Sequence, residues 1–199
     1  MQALSSRLRA IDAPRQGIGT FFRNVVDFIY ERGCKAEVLK RVSPETRAVC
    51  EKPPGWLSWV PSVHIDELES AFLAVAGREA TVELGRVCSK NLGTTIVRPV
   101  LRMAFLLLGQ TPAVVFENLD RFFPLVTCGI TFSYTAESPS RGAVLARFDG
   151  PATPEAAYHV LQGSLQFIFE LCGVGGEVGG AEVAESGDTG ATVRYRVRW

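Results

Sequence analysis

Hydrophobic positions along the chain recur first at helical and then at strand spacing, and the change falls near residue 130. From Thr20 to Arg32, Phe21, Val25, Phe28 and Ile29 share one helical face, and Gly33 stands where a C-terminal glycine belongs. Ser43-Pro44-Glu45 opens a short helix, with serine at the N-cap and proline in the first turn. KPPGWLSWVPS then breaks the pattern: its prolines and glycine predict an ordered loop without regular structure, whose indoles, Trp56 and Trp59, must pack against something. Ser62 caps the next helix. Asp66, Glu67 and Glu69 enrich its N-terminal half as the macrodipole favours, and Leu68, Phe72 and Val75 form its buried stripe. Gly77 marks a break, after which Glu79–Asn91 is again helical and Gly93 ends it. TTIVRPVLRMAFLLLG, residues 94–109, is apolar nearly all round and predicts the central buried helix, with Pro99 in its first turn or at a kink. Thr111-Pro112 opens one more helix, AVVFENLDRFF, stopped by Pro124.

Beyond it the period is two. Ile130, Phe132 and Tyr134 alternate with Thr131 and Ser133, ESPSRG turns, and AVLARF returns as a β-hairpin. Thr153-Pro154-Glu155 caps a long helix that runs to Gly173, and a second hairpin follows as EVGGAEVAE, the turn SGDTG and ATVRYRVRW. The fold class is therefore α+β: an N-terminal helical bundle packed on a four-stranded antiparallel sheet built from two hairpins separated by a long helix. Residues 1–16, polar and basic with Pro14, read as a loosely held arm, and 17–199 as a single domain.

Bulk properties narrow the function classes. The 199 residues carry 21 basic and 21 acidic side chains, so no whole-domain field attracts a phosphate backbone and nucleic acid is not an expected partner. Near-zero net charge removes one defence against self-association, and a homodimer is expected. Five widely spaced cysteines without a Cys-x-x-Cys pair or a signal peptide point to buried thiols in a reducing, cytoplasmic compartment. The longest apolar cluster, Met103–Leu108, is far short of the ~18 residues of a membrane span, so no integral membrane segment is expected.

Candidate chemistry is sparse. His64 lies beside Asp66 and Glu67, but the only other histidine is His159 and no HxxxH pair exists, so a surface or capping role is favoured over acid–base work or a metal. The glycine-rich Gly173–Gly180 stretch leaves a helix and enters a strand, the reverse of a phosphate loop; Gly17–Gly19 precedes a helix but lacks a lysine and a preceding strand. Arg98 and Arg102 stand four apart in the most apolar helix and must meet carboxylates, reach the surface or line a polar opening for an anionic head group. Trp56 and Trp59 form either a loop pinned to the core, an aromatic lid or a partner interface. Arg194, Arg196 and Arg198 alternate on the last strand as a solvated face, a protected edge or a surface for an acidic partner. No nucleophile elbow, Walker loop, zinc-protease motif or triad is present, so no enzyme, cofactor or metal site is read from the residues.

WLSWVPS before a helix, Leu84-Gly85, ENLDRFF, two hairpins flanking one helix and the terminal VRYRVRW together resemble a large paralogous set of uncharacterised myxobacterial domains, over about residues 17–199. That set is similar in element order to a superfamily uniting haem–nitric-oxide-binding domains, 4-vinyl-reductase-type ligand-binding domains and small subunits of Golgi tethering complexes. The resemblance implies a module that binds a hydrophobic small molecule or a protein partner, or a subunit of a structural assembly; a haem- or other cofactor-dependent sensor or small enzyme is the remaining alternative. Haem-binding members carry an axial histidine in Asn-Leu-His and a Tyr-x-Ser-x-Arg motif. This chain has Asn118-Leu119-Asp120 and Tyr134-Thr135-Ala136-Glu137-Ser138, so both motifs are broken. The vinyl-reductase-type cysteines of the last hairpin are also missing. The resulting expectation is a non-enzymatic cytosolic sensing or docking module. Its pocket or apolar surface is expected between sheet and helices, involving Trp56, Trp59, Arg98, Arg102, Phe105 and Tyr134.

Overall fold

The structure is a computed structural model that describes residues 15–94, Pro99, Phe105, 109–150 and 153–199. The central helix expected over 94–109 therefore lies outside the described residues, with Arg98 and Arg102, except at Pro99 and Phe105.

The helical half begins with strand β1 (Gln16–Ile18) and helix α1 (Gly19–Glu31). No side chain caps α1; its first amides donate to the proline- and tryptophan-containing loop, Gly19 N–H to Ser58 O at 2.7 Å and Thr20 N–H to Trp56 O at 2.8 Å. Helices α2 (Lys35–Leu39), unanticipated from the pattern, and α3 (Pro44–Glu51) follow, and the Ser43 side chain accepts from Thr46 N–H as an N-cap should. Strand β2 (Trp59–Pro61) then leads into α4 (Ser62–Thr94), which kinks at Gly77 as the sequence indicates, where φ of 82° favours glycine. Next come α5 (Pro112–Glu117), α6 (Leu119–Phe122), a 3₁₀ turn (Phe123–Leu125) and β3 (Thr127–Cys128). Thr111 caps α5 as expected, but AVVFENLDRFF is not one helix: Asn118 leaves helical geometry and its Nδ2 donates back to Val114 O.

The main sheet holds β4 (Ile130–Ser138), β5 (Arg141–Asp149), β6 (Glu177–Val178), β7 (Glu182–Gly187) and β8 (Gly190–Arg198), all antiparallel, in the order β4-β5-β8. Both β6 and β7 pair along the outer side of β8, so EVGGAEVAE is two short strands divided at residues 179–181 and not one. β4 carries a register shift between Ala136 and Ser138, and β7 one between Val183 and Glu185. Alternation is as expected: Val193, Tyr195 and Val197 are buried while Arg194, Arg196 and Arg198 are exposed, with Arg196 paired to Glu182 and Arg198 to Glu177. A second, three-stranded sheet in the order β2-β1-β3 escaped the sequence reading.

Helix α7 (Glu155–Cys172) is the hub. Thr153 does not cap it: Pro154 occupies the N-cap and the buried Thr153 hydroxyl has no partner among the described residues. Leu161, Leu165, Ile168 and Phe169 pack on the sheet with Val144, Val193 and Tyr195, whereas Val160 joins the core formed by α1 and α4. At the α4–α7 crossing two glycines face backbone. A Cβ on Gly85 would lie 1.9 Å from Val160 O, and one on Gly163 1.8 Å from Val82 O, so the helices meet at a distance no other residue permits.

Candidate functional site

The α7 stripe Ala157, Leu161, Ser164, Ile168 and Leu171 forms one wall of a partly open cavity of about 170 Å³. Opposite it runs a stripe of α4 at the same helical spacing, Ser62, Ile65, Asp66 and Glu69. β1 supplies Gly17, α5 and α6 supply Val115 and Leu119, and Phe148 of β5 closes the sheet side. The wall is largely hydrocarbon, and its charged side chains among the described residues are Arg15, Asp66 and Glu69.

Arg15 is held by its own backbone and side chain. Ser62 N–H donates to Arg15 O at 2.8 Å, the guanidinium pairs with Asp66 at 2.5 Å and it lies 5.8 Å from the Phe148 ring centre. Burial pushes the Asp66 carboxyl above its ordinary range and Arg15 offsets this only in part. Glu69 is 3% exposed and, among the described residues, its carboxyl has no hydrogen-bond partner. Burial drives its pKa well above the ordinary carboxylate value, Asp66 adds to the rise and Arg15 opposes it. Burial thus favours the neutral acid form of Glu69 over the carboxylate. The macrodipole reading of Asp66, Glu67 and Glu69 is corrected here. Only Glu67 serves a helix end, accepting from Ser43 N–H at 2.9 Å and Ser43 Oγ at 2.7 Å, while Glu69 is core. Spacing carried the signal, because Ile65, Glu69 and Phe72 stand at i, i+4 and i+7.

The residues singled out from sequence are dispersed. Trp56 and Trp59 are 59% and 44% exposed, so the indoles do not pin their loop to the core. The loop is held by backbone: Arg23 Nε and its terminal nitrogen donate to Pro54 O and Pro53 O at 2.9 and 2.8 Å, with the guanidinium 4.9 Å from the Trp56 ring centre. Trp59 belongs to β2, where regular structure was not expected. Phe105 packs at the edge of the core around α7, and Tyr134 stacks on Phe116 at 5.6 Å. Neither the two tryptophans, Phe105 nor Tyr134 is among the described residues that line the cavity, and Arg98 and Arg102 lie outside the described residues.

His64 Nδ1 sits 2.8 Å from Thr46 Oγ1 in the network that joins α3 to α4, and the buried His159 sits 3.2 Å from Glu155. Neither lines the cavity. Among the described residues no group of three or more His, Cys, Asp or Glu side chains could hold a metal ion, and no helix is long and apolar enough to cross a membrane. Asp120 accepts from Phe132 N–H at 2.5 Å, fastening α6 to β4. Asp120→Ala is expected to cost about 1–2 kcal/mol of unfolding free energy by urea titration, since it strips a charge-assisted bond from a strand amide.

No protein-family model and no curated protein matches the sequence. Solved structures do match. An Fe(II) unliganded H-NOX protein from K. algicida superposes with a TM-score of 0.61 at 12% identity, over 91% of this chain and 95% of that one. A structure from work on haem redox potential and porphyrin distortion gives 0.60 at 11%, over 92% and 99%. An oxygen-binding H-NOX domain related to soluble guanylate cyclases gives 0.57 at 11%, over 90% and 93%. With helices, sheet and connections aligned over nine-tenths of its length, the chain has the fold of H-NOX domains.

Proposed function

We propose that this chain is a sensing module whose apolar cavity takes a small, mostly apolar molecule. The observation that carries the reading is the pocket itself, a partly open, mostly apolar space of about 170 Å³ between α4, α7 and the sheet, in a domain one of whose structural neighbours binds oxygen. A cavity of about 150 Å³ with an apolar wall accommodates benzene, so the expected ligand is of single-ring size. Among the described residues no catalytic constellation lines the pocket: the histidines lie elsewhere and burial raises the Cys50 and Cys172 thiols to about 11, away from nucleophilic thiolate. The reading is tested with ethylbenzene, followed by ligand-observed NMR on the purified chain. Saturable binding is expected, weakened at least tenfold in Ala157→Phe, which fills the cavity from the α7 stripe. Equal uptake by the folded variant would remove the cavity from consideration.

Haem is the second reading, favoured by the neighbours, whose names refer to haem, porphyrin and oxygen. The residues present do not fit it. Among the described residues the wall offers no His, Cys, Tyr or Met to an iron. Asp120 is engaged with β4, and the Tyr134 ring lies over Gly142, where a Cβ would meet its hydroxyl at 2.6 Å. An absorption spectrum of chain produced with ample haem decides the point: a flat Soret region is expected, and a stoichiometric Soret band would install haem instead.

The module is further proposed to act in the cytoplasm as a homodimer. Trp56, Leu57, Trp59 and Val63 are exposed apolar side chains near the start of α4, and the chain has no net charge to oppose association. Trp56→Glu is expected to shift the mass in sedimentation equilibrium from dimer to monomer.

A further inference from the structure

Arg15, Asp66 and Glu69 are the charged side chains on the cavity wall among the described residues. We infer that the cavity's ligand is an uncharged, ring-sized molecule bearing a hydrogen-bond acceptor such as a ketone or aldehyde, and that Glu69 is the group that meets this acceptor. The inference rests on the cavity reading above and adds the chemical class of the ligand.

Three observations converge on it. Glu69 is a buried polar side chain on the cavity wall without a hydrogen-bond partner among the described residues, so part of its hydrogen-bonding capacity is unspent. Its two charged neighbours already satisfy one another, since Arg15 pairs with Asp66 at 2.5 Å. That pair is neutral overall, and a carboxyl buried on a hydrocarbon wall favours its uncharged form, so an uncharged molecule is the one that disturbs the cluster least. A carboxylate ligand would bring a second anion beside Asp66 in a hydrocarbon-walled space. An ammonium ligand would require Glu69 to ionise there, which burial opposes. A carbonyl accepts the Glu69 O–H, leaving every charge where it was. The rest of the wall, including Ile65, Leu161, Ile168 and Phe148, then covers the ring.

The test compares acetophenone with ethylbenzene, which share a ring and differ in the carbonyl, in the wild-type chain and in Glu69→Leu. The ratio of the two affinities within one protein cancels their difference in hydrophobicity. That ratio is expected to fall about five- to tenfold in Glu69→Leu, the worth of one hydrogen bond, and to hold within about threefold in Glu69→Gln, which keeps a donor. Should Glu69→Leu fail to fold, the carbonyl stretch of acetophenone bound to the wild type serves instead; it is expected below its frequency in hexane. A ratio unchanged in Glu69→Leu, an unshifted carbonyl stretch, or tighter binding of benzoate or benzylamine than of acetophenone overturns the inference while leaving the cavity reading in place. Failure of ethylbenzene and acetophenone alike to bind overturns both.

Discussion

Gly163→Ala is expected to destabilise the chain by about 3 kcal/mol or more, read as a lowered urea midpoint. Alanine is the better helix former by about 1 kcal/mol, so on propensity alone the substitution would stabilise. Packing reverses the sign. The new Cβ would lie 1.8 Å from Val82 O and 2.7 Å from Arg86 N, both backbone atoms of α4 that cannot turn aside as a side chain would. Gly85→Ala meets Val160 O at 1.9 Å on the reciprocal side of the same crossing. Because either change forces the helices apart, the double variant should lose clearly less than the sum of the two. Gly175→Ala is the control: nothing lies within 4 Å of its Cβ, and a change within about 0.5 kcal/mol is expected. A Gly163→Ala midpoint at or above wild type would mean that α4 and α7 do not cross at these glycines.

Stability should also fall as pH rises above the ordinary carboxylate value of 4.5, and Glu69 should be the reason. Its folded pKa is raised by burial, so above 4.5 the unfolded chain has released a proton that the folded chain retains. The folded state then binds more protons, and unfolding free energy declines by about 1.4 kcal/mol per pH unit for one such group. The decline ends at the folded pKa, beyond which both states are ionised. Asp66, also raised, contributes with the same sign and is present in wild type and in Glu69→Gln alike. The difference between their urea midpoints from pH 5 to 8 therefore isolates Glu69. A flatter profile is expected for Glu69→Gln; two parallel profiles would mean that Glu69 is solvated and charged.

Periodicity made the larger elements legible. Strict alternation in β5 and β8 buried Val144, Ala146, Phe148, Val193, Tyr195 and Val197, and the hairpins fell where the turns indicated. What escaped was set by contacts distant in sequence. β1 and β3 have three and two residues, too few to display a period, and exist because Gln16 pairs with both Pro61 and Cys128. The proline-rich loop was misjudged in the same way, since its anchors Thr20 and Arg23 sit on α1. The candidate site was the least legible part. Its aromatic and arginine candidates were chosen by residue type, whereas the cavity is lined by other members of the same types, Arg15, Phe21 and Phe148 among them, and by small residues such as Gly17, Ala157 and Ser164. Glu69 stood on the apolar face by spacing, yet an acidic residue in the first half of a helix also suits the macrodipole, and that explanation masked it.

The strand irregularities bear on how copies of this chain can meet. Among the described residues β4 borders the main sheet on one side, and β6 and β7 border it on the other. Each long border strand has a misaligned rung, and between Val178 and Glu182 the outer border is interrupted altogether. A neighbour arriving edge-on would find no continuous row of amides and carbonyls to extend, which guards against runaway polymerisation in a chain with no net charge to keep copies apart. The homodimer proposed above would then form through the helical side, as a closed pair whose growth stops at two.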